Sequence, residues 1–220
     1  MLVVAGGSGT RMGGQLPKQF LTVAGRPLLM HTLGRFFSID PEIQIVLALP
    51  EAWADEWRSL VIAHDFKVPH FLVNGGTTRT LSVRNALAAV SDADCLIGIH
   101  DGVRPFFTAA MIDRVMAAAE HDGAAVPVVA VVQSLRKVSG SDNHAVDRSA
   151  YRAVQTPQCF RADVLRGAYD ALKGDDHTDD ATVVEHHGHP ISMVTGDEMN
   201  VKITTPTDLR LAEFLISEEL

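Results

Sequence analysis

No acidic residue occurs before Asp40, yet Arg11, Lys18, Arg26 and Arg35 all lie in that stretch. The deficit is local, because the whole chain carries 27 Asp and Glu against 19 Lys and Arg, a net charge of −8. That overall acidity argues against a nucleic-acid binder, which needs a basic footprint. With a Debye length of about 8 Å, acidic surface elsewhere is screened from a site near the N-terminus, so a small polyanion remains admissible there. Cysteine is equally scarce. Cys95 and Cys159 stand far apart and form no CxxC pair, which argues against a disulfide framework or zinc knuckle and fits a reducing cytoplasm. No apolar run approaches the roughly 20 residues that cross a bilayer. The opening MLVVAGG is short for a signal peptide's apolar region and lacks its basic flank. Neither a membrane partner nor a secretion signal is expected.

Repeats, low-complexity tracts and long linkers are also missing. At 220 residues and 46% hydrophobic composition, the chain is expected to form one domain over residues 1–220. Residues 2–5 read as a short buried strand, and further apolar runs of strand length fall at 43–50, 70–73, 95–100, 124–132 and 191–195. Between them, helical spacing or composition marks 26–37, 51–65, 78–90, 108–121, 161–172, 178–187 and a last helix from about 205. Pro27 suits a first helical turn. Buried strands alternating with helices point to an α/β fold with a mainly parallel, Rossmann-like nucleotide-binding sheet flanked by helices. Ligands in such sheets sit beyond the strands' carboxyl ends. Gly6, Gly7 and Gly9, then Gly75 and Gly76, then Asp101 all fall at such ends, so they are expected to share one rim. Residues 133–158 break the rhythm with polar–apolar alternation around a Gly/Ser/Asp/Asn turn. They predict a projecting β-arm that docks on a second subunit.

The glycine loop VVAGGSGTRMGGQLPKQFL matches neither common phosphate-binding pattern. The dinucleotide fingerprint GxGxxG fails at Met12, which argues against a nicotinamide-linked oxidoreductase. The Walker pattern fails because Gly14 is followed by Gln15 and Leu16. What remains is a loop whose backbone donors can cradle a phosphate, with Arg11 inside and Lys18 just after it. The plainer reading is a flexible turn carrying solvated cations. The acid-free surroundings and LPKQF favour the anion site: Pro17 stiffens the chain before Lys18, and Leu16 and Phe20 are placed to anchor both sides.

AGGSGTRMGGQLPKQFL resembles the signature of the sugar-alcohol phosphate cytidylyltransferases, most closely those acting on 2-C-methyl-D-erythritol 4-phosphate. Six further segments carry the resemblance in order: GGTTRTLSV (75–83), HDGVRPF (100–106), VDR (146–148), QTPQ (155–158), HTDDATVVE (177–185) and NVKITTPTDL (200–209). The resemblance implies transfer of CMP from CTP to the sugar phosphate with release of pyrophosphate, in the non-mevalonate isoprenoid pathway. It implies that Arg11 and Lys18 stabilise the α-phosphate and departing pyrophosphate. Ala5, Gly6, Gly7 and Gly9 would hold the nucleotide, with Gly76 and Ser82 completing the base and ribose pocket and backbone carbonyls reading the cytosine amino group. Arg148 and Lys202 would grip the incoming sugar phosphate. Ser134 and Thr178 would bind it by hydrogen bonds or serve as a plain turn and cap. Asp101 would bind substrate and hold Mg²⁺, or shape the turn after its strand; Arg104 would pair with Asp101 or a neighbouring acid. Arg148 would reach a neighbouring subunit's site, making the active form a homodimer. Ser134, Asp180 and Thr77 depart from residues frequent in the family, which bears on sugar selectivity rather than on charge. Two alternatives stay open: a ribitol 5-phosphate cytidylyltransferase and a nucleotide-binding regulator without chemistry. His186, His187 and His189 cluster in EHHGH, but adjacent helical residues point apart, so a solvated helix end is expected.

Overall fold

The computed structural model describes residues 1–7, 16–174 and 177–218. Its centre is an eight-stranded sheet. Strand β1 (Leu2–Val4) is followed by a small antiparallel pair, β2 (Thr22–Val23) and β3 (Arg26–Pro27), whose turn places Ala24 and Gly25 at φ 46° and 81°. Then come α1 (Leu28–Ile39), β4 (Val46–Leu49), α2 (Ala54–Ala63), β5 (Phe71–Asn74), α3 (Arg79–Ala88) and β6 (Leu96–Asp101). The second half holds α4 (Ala109–Asp122), β7 (Ala124–Ala130), the hairpin β8 (Arg136–Ser139) and β9 (Asp142–Ala145), β10 (Arg152–Val154) and β11 (Gln158–Arg161). Helices α5 (Ala162–Ala171) and α6 (Asp180–His186), strand β12 (Ser192–Thr195) and α7 (Pro206–Glu218) complete it.

Strands β5, β4, β1 and β6 run parallel, as do β7 and β12; β11 lies between β6 and β7 and is antiparallel to both. The mainly parallel sheet predicted from the apolar runs is therefore present. Alternate residues of each strand feed opposite faces. Leu2, Val4, Val46 and Ala48 pack with Val83 of α3, Leu165 of α5 and Val183 of α6. Val3, Leu47 and Leu49 pack on the other side with Leu33 of α1, Trp57 of α2 and Met111 of α4. Helix starts are set locally: Thr78 accepts from the Leu81 N–H at 3.2 Å and Thr108 from the Met111 N–H at 3.3 Å. Pro27, expected in a first turn, instead precedes α1 as the last residue of β3.

The predicted arm over 133–158 is shorter in the structure. Only β8 and β9 form the exposed hairpin. The chain then returns as β10, antiparallel to the outer part of β7, and Gln155, Thr156 and Gln158 are buried. Their polar side chains find buried partners far along the chain, which alternation alone does not reveal. Gln155 exchanges hydrogen bonds with the backbone of Asp197 at 2.7 and 3.1 Å. Gln158 accepts from the N–H groups of Asp180 and Ala181 at 3.0 and 2.8 Å, and so caps α6.

His100, fully buried on β6, contacts the rings of Phe36 and Phe107, each at 4.9 Å. Its Nε2 lies 2.9 Å from the Arg104 carbonyl and its Nδ1 3.0 Å from the Thr156 hydroxyl, which suits a neutral ring with Nε2 protonated. Burial lowers its pKa from the ordinary 6.5 to about 4. The unfolded chain thus binds this proton below pH 6.5 and the folded chain does not until about 4. Stability from His100 is complete above that window and is lost as the pH falls through it, on the order of 3 kcal/mol at about 1.4 kcal/mol per pH unit. Denaturant titrations between pH 7 and pH 4 are expected to show this slope, and His100→Asn is expected to flatten it. An equal slope in the variant would assign the acid sensitivity elsewhere.

Candidate active site

Three loops leave the sheet at the carboxyl ends of β1, β5 and β6. The register pairs Val4 with both Ala48 and Asp101, and the Gly102 N–H donates to the Val4 carbonyl at 3.0 Å. Residues Ala5 to Gly7 therefore leave the sheet beside Asp101. From β5, the Gly75 N–H donates to the Leu49 carbonyl at 2.6 Å, and the chain turns into α3. A Cβ on Gly76 would lie 2.2 Å from the Leu81 Cβ, so only glycine allows this turn to pack on its own helix. Ser82 holds the turn from below: its hydroxyl accepts from the Gly76 N–H at 3.0 Å and donates to the Thr78 carbonyl at 2.9 Å. Its hydroxyl oxygen would also be 3.7 Å from a Cβ on Gly6, so the first and second loops nearly touch.

Lys18 opens a single 3₁₀ turn, Lys18–Phe20, directly after Pro17. The anchor expected at Phe20 is present: its ring stacks on Trp57 with centroids 6.1 Å apart. The anchor expected at Leu16 is absent, since that side chain is 41% exposed. Gln19 takes its place. Fully buried, it donates from Nε2 to the Ala5 carbonyl at 2.6 Å and ties the PKQF turn to the end of β1. The methylene end of Lys18 consequently passes Gly7, where a Cβ would sit 3.5 Å from the Lys18 Cε.

These loops enclose a cleft of about 220 Å³. Of the residues expected at the site, Ala5, Gly6, Gly7 and Lys18 line it from one side, Gly76 and Ser82 from another, and Asp101 and Lys202 from the floor. Larger hollows exist, one of about 450 Å³ beside α1, but none of the expected residues among the described ones line it. Arg11 and Gly9 lie outside the described residues. Arg148, Ser134 and Thr178 do not line the cleft of their own chain. All three are exposed; Arg148 donates to the Val132 carbonyl at the base of the hairpin.

The floor is a charge cluster. Asp101 Oδ2 lies 2.9 Å from Lys202 Nζ and 3.2 Å from Arg104 Nε, and Oδ1 lies 3.9 Å from Arg79 Nε. Burial by itself would raise the Asp101 carboxyl, but Lys202, Arg79 and Arg104 outweigh it and hold the group far below the usual carboxylate range. Arg104 thus takes the structural part foreseen for it, adding a bond to the Asn200 carbonyl at 2.9 Å that fixes the loop carrying Lys202. Asn200 itself donates to the Thr156 carbonyl at 2.8 Å, and Thr156 accepts from the Asp101 N–H at 3.1 Å. Arg79, Gln19 and Thr156 all fall inside the family-like segments, yet nothing local in the sequence marks them as part of the site.

The donor set admits Mg²⁺ only in a limited form. No group of three or more His, Cys, Asp or Glu suited to a metal exists among the described residues. Lys202 and Arg104 contact Asp101 through Oδ2, so its Oδ1 can take one coordination position, leaving the others to phosphate oxygens and water.

Comparison with known proteins fits this geometry. The family described as IspD, 2-C-methyl-D-erythritol 4-phosphate cytidylyltransferase, matches residues 1–218. This chain belongs to that family. It is 48% identical to the 2-C-methyl-D-erythritol 4-phosphate cytidylyltransferase of Porphyromonas gingivalis, covering 98% of this chain and 96% of that one. It is 46% identical to the one from Bacteroides thetaiotaomicron over 98% of both. The crystal structure of the Thermus thermophilus enzyme superposes with a TM-score of 0.77 at 34% identity, covering 98% of each chain. In this IspD chain the cleft lies where ligands of parallel sheets bind, at the carboxyl rim.

Proposed function

We propose that this chain carries out the reaction named for its family, moving CMP from CTP to 2-C-methyl-D-erythritol 4-phosphate and releasing pyrophosphate, a step in making isoprenoid precursors. Family membership over nearly the whole chain carries the reading, and the cationic cleft at the sheet's rim supports it. The chemical obstacle is the approach of two polyanions. Two unit charges 4 Å apart repel by about 4 kcal/mol at an effective dielectric near 20, and several such repulsions act at once. Fixed cations and oriented N–H groups therefore supply most of the rate enhancement, with no covalent intermediate.

The backbone of Ala5 to Gly7 and the turn at Gly76 receive the nucleotide. Lys18, held between Pro17 and the Gln19–Ala5 bond, meets the charge that builds on the α-phosphate and leaving pyrophosphate, together with Arg11. Lys202 holds the phosphate of the sugar and directs its attacking oxygen in line. Until then its ammonium rests on Asp101 at 2.9 Å. Mg²⁺ bound through Asp101 and phosphate oxygens would neutralise further charge on the triphosphate. Arg148, with Ser134, serves the site of a second copy. The apolar exposure of the arm supports this pairing, with Val138 68% and Val132 65% exposed where a partner would cover them. Thr178 would hydrogen-bond the phosphate or hydroxyls of the sugar substrate. The unpaired Cys95 and Cys159 accord with a cytoplasmic setting, and no described helix is long and apolar enough to cross a membrane.

Pyrophosphate release is the direct test. With CTP and Mg²⁺, the protein is expected to turn over 2-C-methyl-D-erythritol 4-phosphate faster than ribitol 5-phosphate. Faster turnover of ribitol 5-phosphate would reassign the substrate, and CTP binding without release from either would make the chain a regulator.

A further inference from the structure

We infer that Asp180 is a positioning residue for this reaction, acting through the guanidinium of Arg79. Asp180 is the first residue of α6 and its side chain is wholly buried. One carboxylate oxygen accepts from Arg79 Nη2 at 2.7 Å and the other from the Tyr169 hydroxyl at 2.6 Å. Its backbone N–H is held by Gln158. The residue is thus fixed by three separate elements. Arg79, the first residue of α3, lines the cleft and keeps a quarter of its side chain exposed, 24%. It spans the gap between two acids, with Asp180 at one end and Asp101 Oδ1 at 3.9 Å on the other.

A buried carboxylate is retained only when paired, because an uncompensated charge there is costly. Its partner gains an orientation in return. Nη2 is committed to Asp180, so the guanidinium is kept out of hydrogen-bond reach of Asp101. Asp101 in turn holds Lys202 and Arg104 through Oδ2, while Oδ1 faces Arg79 across 3.9 Å. With the charge on Asp180 removed, Arg79 is released towards the nearest remaining acid, Asp101. That closes a third ion pair on the carboxylate and changes the cluster from which Lys202 must move to reach a phosphate. The route is physical contact throughout: Asp180 to Arg79, Arg79 to Asp101, Asp101 to Lys202.

The inference rests on the reaction proposed above, and the parent enzyme serves as its control. Asp180→Asn keeps the shape and the Tyr169 contact but loses the charge. It is expected to lower kcat by roughly 10- to 100-fold while the KM for CTP changes less than about 3-fold. Arg79→Lys, which keeps Asp180 paired with a cation and so protects folding, is expected to lose kcat to a similar degree. The double variant is expected to be no slower than the worse single one, since both act on one contact. Tyr169→Phe touches Asp180 without removing its charge and is expected to stay within about 3-fold of the parent. Should Asp180→Asn fail to fold, Arg79→Lys alone decides by the same kcat criterion. An unchanged kcat in either variant, losses that multiply in the double variant, or an equal loss in Tyr169→Phe would overturn the inference. An inactive parent would instead count against the reaction itself.

Discussion

Lys18→Ala is expected to lower kcat by about 10²-fold or more, the scale found when one preorganised donor to a developing negative charge is removed. The expectation follows from how the lysine is held. Pro17 precedes it, Gln19 locks the next residue to the end of β1 at 2.6 Å, and Phe20 is stacked against Trp57. A cation so fixed needs little reorganisation when charge builds up beside it, so its effect falls on the chemical step. Steady-state kinetics distinguish this from simple substrate binding: a rise in KM for CTP with kcat intact would move Lys18 from catalysis to ground-state recognition. The fold should survive the change, because the side chain leads into the cleft whereas Gln19 and Phe20 carry the packing.

The second large effect concerns sharing of the site between copies. Arg148→Ala and Lys18→Ala are each expected to be nearly inactive alone, but to regain activity when mixed under conditions that exchange subunits. Random reassortment makes about half the dimers mixed, and each mixed dimer holds one complete site of two, so roughly a quarter of parental activity is expected. Arg148 does not line the cleft of its own chain, and its hairpin exposes apolar residues. Mixing that restores nothing, with exchange shown by a tagged subunit, would leave Arg148 outside the active site.

The elements legible in the sequence are those decided locally. Apolar strand-length runs locate the parallel strands, and glycines beyond them locate the loops, because buried strands and tight turns leave local signatures. Placing Gly6, Gly76 and Asp101 on one rim follows from the rule for parallel sheets. What stays hidden depends on partners distant in sequence. Gln19 looks like a polar neighbour of Lys18, and its burial makes sense only beside the Ala5 carbonyl. Residues 152–158 alternate as a hairpin would, yet Gln155 and Gln158 are buried because Asp197 and Asp180 await them. Arg79 and Asp180 are 101 residues apart, and no spacing rule joins them. Leu16 departs from expectation for the converse reason: an apolar residue beside a turn need not have a wall to pack on.

The central claim is that cations from distant segments converge to let one phosphate attack another. A crystal structure with CTP bound tests it most directly. The account predicts Lys18 Nζ within about 3 Å of a triphosphate oxygen, with Lys202 still on the cleft floor, facing the place left for the sugar phosphate. Lys18 pointing into solvent, away from an ordered triphosphate in that cleft, would contradict it.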